Sequence, residues 1–252
     1  MGYPDVAWGI NELRESFYGG VQEFKDDGTF VVPDNVTKIY ITACGGGGGG
    51  SGAYWGNSRD KFFYCGNGGG GGAAVVKKAF SVVPNSSIQI TVGKGGAAGS
   101  NKKNGSNGTD TIIGNLLTLK GGSGGIIEST QRVPAISGGD GGGYGGVGVY
   151  NFIDISDTYL NTPMNAANGI TGTAGFVIFS VSINSDYTDG IEEKISGGGG
   201  GGGSIGNGGN GASKDIPAST AGYGGGGGGG YYKDDSSQRA SAGGNGIVII
   251  EW

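Results

Sequence analysis

The sequence predicts a mainly β protein: a small antiparallel β-sheet or sandwich plus a bundle of polyglycine II helices with long connecting loops, and very little α-helix. Three observations carry this reading. Glycine fills 64 of 252 positions, several times its usual share of roughly 7%. The glycines gather in blocks such as 45–50, 68–72, 197–203 and 224–230 without a sustained three-residue register, which excludes a collagen triple helix. Between the blocks, residues 36–42, 87–92 and 246–252 are β-branched and aromatic, partly alternating, and bounded by turn residues. That is the pattern of strands rather than of low-complexity disorder.

Taken in order, residues 1–20 read as an attachment segment with a short helix near 10–17. Residues 21–120 read as a β-rich part. Strands at 21–25 and 29–32 flank Asp26-Asp27-Gly28, a hairpin signal. A turn at Pro33-Asp34-Asn35 leads to a strand that runs from Val36 into Cys44. Strands at 73–83 and 87–92 flank Pro84-Asn85-Ser86 as a second hairpin, and a shorter glycine block follows at 93–96. A third hairpin joins 109–113 to 116–120 across Gly114-Asn115. Residues 121–252 read as the glycine bundle with variable loops, closed by a C-terminal strand that returns to the sheet.

The glycine blocks need a different physics from the strands. An extended helix of the polyproline II type has three residues per turn, about 3.1 Å rise and no internal hydrogen bonds. Glycine in that conformation keeps an N–H and a C=O at every residue, and in a packed interior both must find partners. Side-chain-free helices laid side by side pair them laterally. Blocks near 45–50, 68–72, 121–125, 138–146, 197–203, 208–211, 224–230 and 243–246 are the expected members.

Such blocks carry no chemistry, so recognition falls to the linkers at 53–64, 100–109, 126–137, 149–196, 212–221 and 231–242. Two are dense in aromatics. Tyr54, Trp55, Phe62, Phe63 and Tyr64 stand with Arg59 in the first, and Tyr231, Tyr232 and Lys233 in the last. Tyr150 and Phe152 open the longest. Aromatic anchors on exposed loops are what binding surfaces use, so these residues are the expected receptor contacts. About half of the rings are expected to cover the edges of the bundle instead.

Charge narrows the partners. A net charge of -5 and a pI near 4.7, with no clustered basic surface, argue against nucleic acid. No stretch approaches the roughly 18 apolar residues of a membrane span, and no basic leader precedes an apolar segment, so neither membrane insertion nor an export signal is expected. Cys44 and Cys65 bracket the first linker. A disulfide there would staple the loop base, whereas a reducing compartment favours two free or buried thiols. Two cysteines and no histidine are too few ligands for zinc, and no metal or cofactor is expected. The N-x-Ser/Thr steps at Asn35, Asn85, Asn104 and Asn107 carry no weight without secretion.

An enzyme is not expected. A glycan-degrading one would need positioned acids, for which Asp154, Asp157, Asp186, Asp189, Asp234 and Asp235 are the candidates, but acidic loops carry such residues in any case. Glycine-run matches to a nucleotide fingerprint lack the strand-turn-helix context and a closing Gly-Lys-Ser/Thr. A structural role without direct receptor contact is the alternative to a binding role.

Four motifs together carry a resemblance. They are Gly28-Thr29-Phe30-Val31-Val32-Pro33, Val36-Thr37-Lys38-Ile39, Cys44 with its glycine run, and the close from Gly243 to Trp252. Across roughly residues 21–252 the chain resembles the glycine-rich domain at the ends of phage and prophage tail fibres. Its alternation of glycine motifs with loops also resembles the distal adhesins of T-even-like phages. The resemblance implies a tail-fibre tip adhesin whose loops recognise a bacterial surface receptor, an outer-membrane protein or a glycan. It also implies a tail-fibre shaft protein as partner, through the N-terminal segment, and a place at the distal end of the fibre in the virion. Those adhesins carry a substantial attachment domain, where about 20 residues precede the matching region here.

Overall fold

The computed structural model describes residues 19–55, 63–64, 66–100, 103–127, 150–153, 158–160, 182–183, 191–192, 201–202, 205–212, 217–230 and 239–252. These are mainly β and contain no α-helix. In chain order the strands are β1 (Val21–Phe24), β2 (Gly28–Val31), β3 (Lys38–Cys44), β4 (Tyr54–Trp55), β5 (Phe63–Tyr64), β6 (Ala74–Ser81) and β7 (Ser87–Thr91). They continue as β8 (Thr111–Ile113), β9 (Leu117–Leu119), β10 (Tyr150–Ile153), β11 (Thr158–Leu160), β12 (Ser182–Ile183), β13 (Ile191–Glu192) and β14 (Ile247–Glu251). The short helix expected near 10–17 lies outside the described residues.

Alternation builds a sandwich. In β3, Ile39, Ile41 and Ala43 are buried while Lys38 and Tyr40 are exposed; in β7, Ile88 and Ile90 alternate with exposed Ser87, Gln89 and Thr91. A period of two gives each strand one apolar face, and two sheets bury those faces against each other. The first sheet has the order β1-β14-β3-β6 and the second β2-β7-β8-β9, every pairing antiparallel. Phe24, Ile39, Ile41, Val248 and Ile250 from one sheet meet Phe30, Ile88, Ile90, Ile113 and Leu119 from the other in one core. The ring of Trp252 lies 5.2 Å from that of Phe30.

Only the third of the three expected hairpins forms: β8 and β9 pair Thr111 with Leu119 and Ile113 with Leu117 around Gly114, whose φ is 48°. β1 and β2 fall in different sheets, as do β6 and β7. The aspartates of the first expected turn have other partners. Asp27 accepts a hydrogen bond from the Val92 N–H (2.8 Å) and Asp26 pairs with Lys94 (2.7 Å), so the segment is tied to the end of β7 as the chain crosses between sheets. β1 pairs instead with the strongly apolar β14. At the second expected hairpin, Asn85 donates to the Val32 carbonyl and Val32 to that of Ser86, both at 2.9 Å, so the turn docks on the end of β2. Asn35 and Asn85 both hold φ near 60° (63° and 62°), the left-handed conformation that Asn tolerates.

Beyond Cys44 the chain leaves the sandwich as an extended run, 45–52, whose partners repeat every third residue. Gly45, Gly48 and Ser51 donate to Ala73, Gly70 and Asn67; Gly46, Gly49 and Gly52 donate to Thr109, Ser106 and Lys103; Gly47 and Gly50 donate to Gly244 and Ser241, all at 2.8–3.0 Å. The carbonyls of Gly46 and Gly49 accept from Gly122 and Gly125, those of Gly47 and Gly50 from Gly96 and Gly99, and those of Gly48 and Ser51 from Gly227 and Gly230. Run 45–52 therefore has six neighbours. Three are antiparallel to it and take its donors; three are parallel and fill its acceptors.

The six neighbours also close on one another. Runs 66–73, 120–127, 103–110, 93–100, 239–246 and 224–230 form a ring in that order, each bonded to the next and antiparallel to it, and the last returns to the first. Outside the ring, 205–212 adds to 224–230 through Gly209→Gly226 and Ala212→Gly229, and 217–222 adds to 205–212 through Ser219→Asn210 and Gly222→Asn207. Gly201 donates to Gly69 and accepts from Gly226.

Two ring members differ from the sequence expectation. Residues 100–109 were expected to be a loop, and 93–96 stood outside the expected bundle; runs 93–100 and 103–110 instead lie in the ring. An outer run needs glycine only where it faces a neighbouring run, which in run 103–110 is every third residue. A Cβ on Gly105 or Gly108 would collide with the carbonyls of Gly49 and Gly46, whereas Ser106 and Thr109 occupy other sides of the run. Run 45–52 is enclosed on all sides, so each of Gly45 to Gly50 would place a Cβ under 3.0 Å from a neighbouring carbonyl. The expected blocks 138–146 and most of 197–203 lie outside the described residues.

Gly48→Ala drives its methyl against the Ser123 carbonyl. It is expected to cost about 3 kcal/mol, at the upper end of ordinary overpacking, while Ala98→Ser at an exposed outer position changes stability by less than about 0.5 kcal/mol. Denaturant titration of the two variants checks this.

Candidate functional site

The hydrogen-bond register gives the array two distinct ends. Ala73, Gly93, Lys120, Gly224 and Gly246 lie level with Gly45, beside the sandwich, whereas Asn67, Gly99, Lys103, Ile126 and Gly230 lie level with Gly50 to Gly52 at the far end. The chain therefore leaves the far end into 53–65, from 127, into 213–216 and into 231–238. The sandwich, the C-terminus at Trp252 and the start of the described chain at Gly19 lie at the other end, where Trp252 donates to the Gly20 carbonyl (3.0 Å).

The exit into the first linker is pinned by polar residues that interrupt the glycine. Fully buried Ser51 accepts the Asn67 N–H at its Oγ (2.7 Å), and the Asn67 side-chain amide donates to the Ile126 carbonyl (2.6 Å). Neither residue stood among the candidates. The available signal was their position, one at each margin of the 53–65 linker.

Six of the eleven sequence candidates fall in one further sheet, of order β11-β10-β5-β4. Tyr54 pairs with Tyr64 and Trp55 with Phe63; Tyr64 in turn pairs with Tyr150, and Phe152 with Tyr159. Two linkers distant in sequence thus share one antiparallel sheet. Arg59, Phe62, Tyr231, Tyr232 and Lys233 lie outside the described residues, as do Cys65 and the six aspartates considered for catalysis. Strands β12 and β13 pair with each other. No metal-binding group of His, Cys, Asp or Glu and no helix long and apolar enough to cross a membrane occurs among the described residues.

Cys44 is a free, buried thiol where the sandwich meets the array, and burial pushes its pKa up to about 11. The described ion pairs lie toward the sandwich end: Lys94–Asp26 (2.7 Å), Lys120–Asp110 (2.6 Å), Lys77–Glu251 (3.3 Å) and Lys25–Glu23 (3.2 Å). Asp110 also accepts the Gly121 N–H at 3.0 Å. Its carboxyl is held below the ordinary value, first by the hydrogen bond from Lys120 and then by that from Gly121.

The sequence matches the family model of a glycine-rich domain over residues 24–252. The chain belongs to this glycine-rich domain family. That match spans the sandwich from the end of β1, the glycine array and every linker, so the domain comprises both the frame and the far-end segments. No curated protein matches the sequence.

Because the folded pKa of Asp110 is depressed, its contribution is present above the unfolded value of about 3.9 and is lost as pH falls through the lower folded value. Asp110→Asn keeps an acceptor for Gly121 but removes that charge. The variant is expected to lose less of its thermal midpoint than the parent between pH 5 and pH 2, as measured by melts across that range (about one residue's linkage effect).

Proposed function

We propose that this glycine-rich domain is the receptor-binding tip of a bacteriophage tail fibre or a related bacterial injection device. In this reading the extended runs are polyglycine II helices that form a stiff platform, and the far-end linkers carry the recognition. The supporting observation is the polarity of the array. Linkers that start far apart in sequence leave at one end, while the sandwich and Trp252 occupy the other. An adhesin needs that separation, with variable segments displayed on a rigid frame and the opposite end free to join a shaft protein.

The shared sheet of β4, β5, β10 and β11 favours contact through aromatic residues. Tyr54, Trp55, Phe63, Tyr64, Tyr150 and Phe152 sit on strands that pair across two linkers, and tyrosine and tryptophan supply contact area at little entropic cost. The proposed partner is a bacterial surface receptor, either an outer-membrane protein or a surface glycan. The reading requires no cofactor and no catalytic step.

The test is binding of the fluorescently labelled domain to a panel of bacterial strains, beside a variant whose residues 53–64 and 231–238 are replaced by glycine-serine links. Both replacements spare every described run of the array. The domain is expected to bind saturably to a subset of strains, and the variant, still folded by thermal melt, to bind at least about tenfold more weakly, as loss of an interface hot spot would do. Absence of binding to every strain, or equal binding by the variant, would contradict the proposal and favour a structural role in the fibre.

A further inference from the structure

Asn-Gly is the dipeptide most prone to deamidation, because the glycine N–H attacks the asparagine side-chain carbonyl without a flanking side chain in the way. The sequence contains seven such steps, at Asn67, Asn104, Asn107, Asn168, Asn207, Asn210 and Asn245. Three of them make the same two-point contact with an antiparallel neighbour. Gly105 donates to the Gly125 carbonyl (2.8 Å) while Asn104 Oδ1 accepts from the Ile127 N–H (2.7 Å). Gly108 donates to Gly122 (2.9 Å) while Asn107 Oδ1 accepts from Gly124 (2.8 Å). Gly246 donates to Gly93 (2.8 Å) while Asn245 Oδ1 accepts from Gly95 (2.9 Å). In each, the glycine bonds to residue j and the asparagine oxygen to residue j+2 of the same run.

We infer that Asn104, Asn107 and Asn245 are latent deamidation sites that the folded array holds closed, so that their conversion to Asp or isoaspartate records each opening of the ring. The reaction requires the glycine nitrogen to lose its proton and bond to the asparagine Cγ. Ammonia leaves, and solvent water then opens the succinimide at either carbonyl. The clamp opposes the first step twice. The glycine N–H that must be deprotonated is bonded to a carbonyl of the neighbouring run, and the carbonyl to be attacked is held by a second donor two residues along it.

The same geometry gives Asn104 and Asn107 a structural role. Together with Asp110, whose Oδ1 takes the Gly121 N–H, they form a ladder at three-residue spacing along run 103–110. It meets the N–H groups of 121, 124 and 127 that point away from the ring centre. The ladder takes the place of a further run on that flank. Reaction to Asp preserves the acceptor, whereas isoaspartate adds a backbone carbon and breaks the three-residue register.

The experiment incubates the intact chain at mildly alkaline pH beside a synthetic peptide of residues 101–110 and a sample of the chain unfolded in denaturant. Deamidation at each site is followed by peptide mass spectrometry. In the folded chain Asn104, Asn107 and Asn245 are expected to react at least about tenfold more slowly than in the unfolded chain, since the reaction proceeds only through local opening. The 101–110 peptide is expected to match the unfolded rate. Gly49→Ala, whose methyl meets the Ala97 carbonyl of run 93–100, the neighbour of both run 103–110 and run 239–246, without touching these asparagines, is expected to raise all three rates while the chain remains folded by thermal melt. Equal rates in folded and unfolded chain would overturn the inference, as would a peptide as slow as the folded chain.

Discussion

The lateral hydrogen bond between extended glycine runs is the interaction on which the structure depends. Such a run makes no bonds to itself, so every N–H and C=O it buries must be met by a neighbour. In run 45–52 each of the eight N–H groups and the carbonyls of 46–51 bond to one of six surrounding runs. Net hydrogen-bond contributions are small, about 1 kcal/mol each. Leaving one buried group unmet costs about 1–3 kcal/mol, so the closed ring matters more than any single bond. Glycine pays heavily in conformational entropy for this arrangement, and the sandwich, with its continuous apolar core, supplies a fixed base from which the runs start and to which they return.

The sandwich was legible where burial is periodic. The alternation in β3 and β7 and the apolar β14 marked strands correctly, because a period of two reports one buried face directly. Partner choice was not legible. Asp26-Asp27-Gly28 has hairpin chemistry, yet its aspartates bond to Val92 and Lys94, contacts 65 and 68 residues away in sequence. Local turn propensity carries no information about such contacts. In the array, the central run showed itself as uninterrupted glycine from 45 to 50 because it is enclosed on every side there. Run 103–110 was obscured because it needs glycine only every third residue and its Lys103, Asn104, Ser106 and Asn107 read as loop chemistry, and run 93–100 because Lys94, Ala97 and Ala98 interrupt its glycines. In the far-end sheet, the aromatic segments were visible in sequence, but the pairing of Tyr64 with Tyr150 across more than 80 residues was not. Ser51 and Asn67 went unnoticed for a related reason: their role lies in the geometry of the exit, not in their residue types.

Frame and linkers divide the work of the chain. The frame fixes where each linker begins and ends to within the spacing of adjacent runs, and it does so chiefly through backbone atoms. Linker sequence is therefore free to vary without disturbing the bonds that hold the ring, a separation suited to the recognition role proposed for the far end. The polar residues of the outer runs serve the frame: Asn104, Asn107, Asp110, Thr109, Ser241 and Asn245 take up backbone donors of adjacent runs. Side chains thus finish the array where no further run continues it.

The most direct test of the central claim is amide hydrogen exchange of residues 45–52 in the native chain. The closed ring predicts that Gly45 to Gly50 exchange as slowly as the buried amides of β3, opening only with the global transition, although none of them belongs to an α-helix or a β-strand. Exchange of these glycines at the rate of an unstructured glycine peptide, with β3 still protected, would contradict it.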